Sequence, residues 1–177
     1  MRKILAISML TSVSIMLTAC SGGGADMEDE SFPIRNAQGS EIGTLEIKEL
    51  QGGGVEVEVN VSGLTQGTRA MHFHEFGKCD APDYKSSGGH YNPAGVAHGQ
   101  VDDGPHAGDM MNVEIGADGS GTFKVTNMKV NLRSGTLPAL MDADGSALII
   151  HGGADDYVSQ PSGAAGPRVA CAVIPAG

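Results

Sequence analysis

Two stretches of alternating apolar and polar residues, joined by glycines, constrain the fold of this chain more than any other feature. Leu45 and Ile47 alternate with polar residues in 44–50 (TLEIKEL), apolar residues occupy every second position in 55–61 (VEVEVNV), and Gly52-Gly53-Gly54 lies between the two stretches. A period of two places the apolar side chains on one face of a β-strand. The pattern therefore predicts two strands, connected by a glycine turn, with one buried face.

The remaining sequence is typical of a turn-rich all-β protein. Glycine accounts for 27 of the 177 residues, about twice its average share of ~7%. Alternation begins at Phe32, and no window shows a convincing helical period. Further predicted strands are 70–75, 111–115, 121–127, 146–151 and 169–174. The segments 77–109 and 152–168 are rich in Gly, Pro, Asp and Ser and are predicted to be two long loops, which are commonly functional.

The first residues are predicted to be a targeting segment. Arg2 and Lys3 precede an apolar stretch, 4–18, that is typical of a secretory signal. Leu17-Thr18-Ala19-Cys20 is similar to a bacterial lipobox, in which the signal is removed and the cysteine is acylated. The alternative is an ordinary signal that happens to end in a cysteine.

This interpretation divides the chain into three parts. Residues 1–19 are the signal peptide, 20–31 are the acylated cysteine with a small acidic tether, and 32–177 are the folded domain. We expect Cys20 to anchor the domain on the periplasmic side of the cell envelope, and the residue that follows it favours the outer membrane. Removal of Arg2 and Lys3 changes the net charge from −10 to −12, which disfavours nucleic acid as a partner.

The six histidines are placed as a metal site requires. His72 and His74 lie two apart on a predicted strand, so both side chains project to one face, and Phe73 projects into the core. A lone pair of this kind is a weak signal, and scattered surface histidines are the alternative. The other candidate ligands are His90, His98, His106 and Asp109 in the first long loop and His151 at the end of a strand. Imidazole suits both copper and zinc, and mixed imidazole–carboxylate sets suit zinc, so the group predicts a metal centre.

A series of short motifs carries a more specific resemblance. The motifs are His72-Phe73-His74-Glu75, Gly88-Gly89-His90-Tyr91-Asn92-Pro93, Ala97-His98-Gly99, His106-Ala107-Gly108-Asp109, Ile149-Ile150-His151 with Ala154-Asp155-Asp156, and Gly166-Pro167-Arg168-Val169-Ala170-Cys171. In this order they resemble the bacterial secreted copper/zinc superoxide dismutases over essentially all of 32–177. The resemblance implies an eight-stranded Greek-key β-sandwich, or flattened barrel, with two long functional loops.

The resemblance also implies the ligands of both metals. The copper ligands would be His72, His74, His90 and His151. The zinc ligands would be His90, His98, His106 and Asp109. His90 would therefore bridge the two ions, which agrees with a supply of only seven candidate ligands for two four-ligand sites. Asp155 would connect His72 to His98 and orient both rings; the alternative is a solvated loop acid.

The implied activity is the conversion of superoxide to oxygen and hydrogen peroxide. Arg168 would hold the anion beside copper, and His90 would release copper and take up a proton during the cycle. Cys79 and Cys171 would form the family disulfide, the alternative being two reduced thiols. A non-enzymatic relative that stores or delivers metal, and a lipid-anchored binding β-sandwich, remain alternatives.

Three features of this chain depart from the family or leave a property open. Arg69-Ala70-Met71 stands where His-Gly-Phe is common. The segment 152–167 contains no Lys or Arg, so Arg168 is the primary candidate for guiding the anion and any help must come from elsewhere. Lys85 is the favoured source of that help and Arg69 a weaker one; the alternative is that Lys85 is an ordinary solvated side chain. The oligomeric state is open, and a homodimer is one arrangement that the sequence allows.

Overall fold

The computed structural model describes residues 30–177, so the predicted signal peptide, Cys20 and most of the tether lie outside the described residues. The described part is all-β, as predicted, with one short 3-10 helix at Lys85–Ser87. Its strands are β1 Glu30–Asn36, β2 Glu41–Glu49, β3 Val55–Val61, β4 Gly67–Arg69, β5 Met71–His74, β6 Val113–Ile115, β7 Gly121–Asn127, β8 Ser146–His151 and β9 Arg168–Ile174. From residue 30 onward, no helix is long and apolar enough to cross a membrane.

The strands form a seven-stranded antiparallel sheet and a two-stranded ribbon. The order in the large sheet is β5-β8-β9-β1-β2-β3-β7, and β4 pairs with β6 in the ribbon. The first and last strands, β1 and β9, are neighbours, and β5 is paired with β8 rather than with an adjacent strand in sequence. Such long-range antiparallel neighbours are typical of Greek-key connections.

The alternating stretches form β2 and β3, which confirms the predicted pair. Leu45 lies opposite Val59 and Ile47 lies opposite Val57 in the ladder, and all four side chains are fully buried. Their polar neighbours alternate to the outer face, as the period of two requires. The apolar face of this pair is part of the main hydrophobic core, and Phe73 of β5 joins that core.

The strand count differs from eight because the chain changes sheets at Ala70. This residue separates β4, which pairs with β6, from β5, which pairs with β8. If the interruption at Ala70 is disregarded, β4 and β5 are one strand and the expected eight remain. At the other end, β1 begins inside the predicted tether, because Glu30 pairs with Ile47 and Ser31 pairs with Glu46.

A disulfide between Cys79 and Cys171 joins the first long loop to β9, as the resemblance implied. The bond packs against a small second cluster formed by Tyr84, Ala147 and Ile149. The Tyr84 hydroxyl donates a hydrogen bond of 2.9 Å to the Arg35 carbonyl on β1. The disulfide and Tyr84 therefore fix the same loop to two neighbouring strands.

Removal of the disulfide is expected to destabilise the domain substantially. Because the bond closes a sequence separation of 92 residues, the Cys79→Ala/Cys171→Ala variant should lose about 2–4 kcal/mol of unfolding free energy. Denaturant unfolding of the metal-free domain measures the change. The reduced wild type is the matched control, and it should unfold at the same denaturant concentration as the variant. Equal stability of the oxidised wild type and the variant would contradict this role.

Candidate metal centre

Strand β5 is the base on which the candidate ligands assemble. His72 and His74 are both fully buried there, and their side chains share one side of the strand. The long loop returns to β5 through two isolated bridges, between His74 and His90 and between His72 and Asp109. These backbone contacts bring ligands distant in sequence to one place.

The candidate residues form two groups that have one residue in common. The first group is His72, His74, His90 and His151, and the second is His90, His98, His106 and Asp109. In each group the ligand atoms lie within 4.8 Å of one another. The seven residues proposed from the sequence are therefore all brought together, and His90 is the one that belongs to both groups.

Hydrogen bonds fix the direction of the nitrogen lone pairs in the first group. Backbone carbonyls can only accept, so His74 donates its Nδ1–H to Gly88 at 3.1 Å and His151 donates its Nδ1–H to Gly166 at 3.3 Å. The Nε2 atoms of His74 and His151 then carry the lone pairs, and they lie 3.4 Å apart. Two converging lone pairs are the arrangement that a cation requires.

The second group gathers around the Asp109 carboxylate. Its oxygens lie 2.8 Å from His90 Nδ1, 3.0 Å from His98 Nδ1 and 3.3 Å from His106 Nδ1. Burial opposes ionisation of Asp109, but the hydrogen bond from His90 and the Gly99 amide hold the pKa of that carboxyl well below its usual range. Three imidazoles and one carboxylate form an ordinary zinc ligand set.

The Asp155 carboxylate connects the two groups. It lies 2.8 Å from His72 Nε2 and 3.0 Å from His98 Nε2. Burial disfavours its charge, yet the hydrogen bonds from His72, His98 and the Tyr157 amide lower the pKa of Asp155 to about 2. A carboxylate accepts only, so both rings donate from Nε2 and both present a lone pair at Nδ1.

Unpartnered nitrogens show that the residues fit metal ions. Within residues 30–177, the buried atoms without a hydrogen-bond partner include His72 Nδ1, His90 Nε2, His98 Nδ1 and His106 Nδ1. A buried polar atom left unsatisfied costs about 1–3 kcal/mol. The lone pair of His98 Nδ1 also lies 3.0 Å from an Asp109 oxygen, another acceptor, and the two repel unless a cation lies between them. The donor atoms of both groups therefore match what metal ligation would satisfy.

Burial also keeps the ligand rings neutral. It lowers the pKa of His151 to about 3, with His72 adding to the effect, and it lowers the pKa of His74 well below its usual value. Burial lowers the pKa of His72 as well, although the Asp155 hydrogen bond opposes it. Neutral imidazole is the form that binds metal, so no proton has to leave these rings at neutral pH.

Arg168 lies beside the first group in a pocket that His74, His90 and His151 also line. Its guanidinium donates hydrogen bonds to Tyr84 O at 2.7 Å, to Ser87 Oγ at 3.1 Å and to Gly88 O at 2.6 Å. Burial lowers the pKa of this group, with Asp83 opposing the effect, but a guanidinium remains charged. The loop that the disulfide anchors therefore holds a cation at the mouth of the first group.

Two side-chain amides that the sequence did not single out hold Asp155 and the candidate ligand His98 in place. Asn112 accepts from the Asp155 amide at 2.8 Å and donates to the Asp155 carbonyl at 2.9 Å. Gln160 accepts from the His98 amide at 2.8 Å and donates to the His98 carbonyl at 2.9 Å. Each side-chain amide thus bonds both the N–H and the C=O of one residue, as a neighbouring strand would do in a sheet. Single amides in polar loops have no motif, so no sequence signal indicated them.

Comparison with known proteins agrees with this geometry. The profile of the copper/zinc superoxide dismutase family (SODC) matches residues 41–174. The chain is 43% identical over 143 residues to Cu-Zn superoxide dismutase 1 of Aquifex aeolicus, and the match covers 80% of this chain and 84% of that protein.

Two solved structures share the fold. A SOD-like protein from Bacillus subtilis aligns with a TM-score of 0.79 at 35% identity, over 83% of this chain and 99% of that one. The Cu/Zn superoxide dismutase from Brucella abortus aligns with a TM-score of 0.66 at 30% identity, over 83% of this chain and 99% of that one. By sequence and by structure, the chain belongs to the copper/zinc superoxide dismutase family.

Proposed function

We propose that this enzyme converts superoxide to oxygen and hydrogen peroxide at a copper ion bound by the four-imidazole group, beside a zinc ion bound by the mixed group. The copper ligands are His72, His74, His90 and His151, and the zinc ligands are His90, His98, His106 and Asp109. One observation carries the proposal: two complete four-ligand groups have His90 in common. A single imidazole offers one nitrogen to each ion, so the two groups can be filled together.

The two metals supply different chemistry. Copper, when bound, would supply the redox chemistry, because it has two accessible oxidation states, whereas zinc has no second accessible state and would be structural. The residues of the chain bind the anion, orient the rings and supply a proton. Arg168 is the cation that attracts and holds superoxide at the pocket, because its guanidinium is fixed by three hydrogen bonds.

His90 is placed to handle the proton. Its Nδ1 lies 2.8 Å from Asp109 in the zinc group, which leaves Nε2 for the copper group. His90 Nε2 is buried and has no hydrogen-bond partner among the described residues. When it is not bound to copper, this atom could hold a proton and give it to the product anion in the same pocket.

The placement of Arg168 distinguishes an enzyme from a protein that only stores metal. Storage requires the ligand groups alone, and an anion-binding cation beside them would serve no purpose. In this chain the Arg168 guanidinium lines the same pocket as three of the proposed copper ligands. This arrangement favours the dismutase over the metal-storing relative.

Lys85, the residue favoured from the sequence for attracting superoxide by its charge, lies close to a residue of opposite charge. Its ammonium lies 2.9 Å from the Asp83 carboxylate, and both side chains are largely exposed. Hydrogen bonds from Lys85 lower the pKa of Asp83, so this acid is charged at neutral pH. We infer that Asp83 offsets much of the attraction of Lys85 for superoxide, and that Arg168 is the main local cation.

The envelope location is a separate proposal. Residues 1–20 support a lipoprotein signal with acylation at Cys20, and the disulfide supports an oxidising compartment. The domain would then act on the periplasmic side of the envelope, attached to the outer membrane. Superoxide formed in that compartment would be its substrate.

Three histidine variants test the proposed metal assignment. His90→Ala should abolish dismutase activity and lower the content of both metals, because it removes a ligand from each group. His98→Ala should lower zinc content mainly, and His151→Ala should lower copper content mainly. Elemental analysis after loading with one equivalent of each metal measures these differences, and a copper chelator should remove the activity of the wild type. Loss of copper alone in His90→Ala would contradict the shared ligand.

Charge variants test how the anion reaches the pocket. Arg168→Gln should slow the reaction by roughly tenfold at every ionic strength, because the docking site itself is damaged. Asp83→Asn should instead raise the rate about twofold at low ionic strength, with the gain disappearing as salt screens the exposed charge. Glu46→Gln is the matched control, since it removes an exposed acid outside the pocket. An increase of the same size in Glu46→Gln would attribute the effect to net charge.

The lipid anchor is tested in the full chain. Cys20→Ala should release the protein from the membrane fraction or mislocalise it, because position 20 then has no thiol for acylation, and should leave the activity per bound copper unchanged. Fractionation and mass spectrometry of the N-terminal peptide measure the two effects. Normal membrane attachment of the variant would rule out this anchor.

A further inference from the structure

Arg69, the last residue of β4, connects two segments that the sheet does not join. All three hydrogen bonds of its guanidinium are donated to backbone carbonyls. Nη2 donates to the Thr65 carbonyl at 2.8 Å and to the Gln66 carbonyl at 3.1 Å, and Nη1 donates to the Gly152 carbonyl. Gly152 directly follows His151, so one side chain joins the loop before β4 to the residue after a proposed copper ligand.

The strand ladder is irregular at this point. The β8–β9 register shifts between Ile150 and His151, where β8 ends. Beyond the shift, the Gly152 amide donates a hydrogen bond of 2.6 Å to the Pro167 carbonyl, and the Gly152 carbonyl accepts a hydrogen bond from Arg69. Such bulges redirect side chains beside active sites but weaken the regular pairing. The Arg69 guanidinium supplies a bond that the ladder does not.

The segment 151–153, to which Arg69 is hydrogen-bonded, is tightly enclosed. A Cβ added to Gly152 would lie 2.9 Å from Pro167 Cγ, and Pro167 directly precedes Arg168. On the opposite side, the Ala70 amide donates to Gly153 at 2.8 Å and the Ala70 carbonyl accepts from His151 at 2.9 Å. A displacement of residue 152 would therefore be transmitted to His151 on one side and to Arg168 on the other.

We infer that Arg69 is a positioning residue: by fixing the Gly152 carbonyl, it sets the position of His151 relative to Arg168. The inference rests on the proposed function for its consequence in catalysis, while its structural basis is independent of it. An arginine suits this task because its planar fork reaches two segments at once, whereas a lysine presents a single point. Bonds from a cation to carbonyls are also stronger than neutral ones. The guanidinium is thus a clamp rather than a guide for superoxide.

The test compares Arg69→Gln with Arg69→Lys and with Arg133→Gln. Arg133→Gln removes the same charge from an exposed side chain that pairs with Glu30, outside the pocket. In the metal-free protein, hydrogen exchange of the amides of 151–153 should become faster in Arg69→Gln and remain unchanged in Arg133→Gln. In the loaded protein, Arg69→Gln should bind copper about 10–100-fold more weakly in competition with a chelator, as expected when a supporting partner is lost. Zinc retention should not change.

The copper EPR spectrum and the salt dependence of the rate separate the possible roles. If Arg69 positions the Gly152 carbonyl, Arg69→Gln should alter the copper EPR spectrum, and Arg69→Lys should restore it only in part. The dependence of the rate on salt concentration should be unchanged. Full recovery in Arg69→Lys together with an altered salt slope would show that Arg69 acts through charge alone and would overturn the inference. Unchanged exchange and copper affinity in Arg69→Gln would also overturn it. If the wild type bound copper but had no dismutase activity, the proposed function would fail, while the exchange and affinity measurements would still decide the role of Arg69.

Discussion

A single buried carboxylate, Asp155, determines how the two ligand groups are arranged. An ionised carboxylate in the interior is costly unless its oxygens are well bonded. Here His72, His98 and the Tyr157 amide all contact it, and Asp155 is nearly inaccessible to solvent. Because it fixes the donor nitrogen of both rings, it also fixes which nitrogen is left for each metal. The space is provided by Gly163, where a Cβ would lie 1.8 Å from the carboxylate.

The structure divides the work between rigid strands and long loops. His72 and His74 on β5 are held by the ladder between β5 and β8, and His151 directly follows the part of β8 that belongs to this ladder. The remaining ligands lie in the loop after β5, which is made rigid by bridges to β5 rather than by strands of its own. This arrangement explains how a Gly-rich segment can present ligands with the precision that two metal sites require. The four-imidazole group rests mainly on strands, and the group that contains Asp109 rests mainly on the loop.

The sequence predicted the parts of the molecule that depend on local pattern. The period of two located β2 and β3, and the spacing of His72 and His74 placed both on one face of β5. The ligand sets came from the resemblance, since no spacing rule brings His90 to His151. The strand β4 has only three residues and no alternation, so it was missed. The ion pair between Lys85 and Asp83 and the amides of the loops depend on tertiary contacts, which a local pattern does not contain.

The charge of the molecule makes a fixed local cation necessary. The net charge is −10, so an anionic substrate is repelled on average, and charges beyond a Debye length of ~8 Å at physiological salt have little influence. Exposed Lys85 is paired with an acid, and its side chain is largely open to solvent. Arg168 is half-buried and held by three hydrogen bonds, two of them to carbonyls, so it loses little freedom when it binds an anion. Under the proposed function, preorganisation of one guanidinium, rather than a broad positive surface, would be the means by which an acidic protein attracts superoxide to the metal.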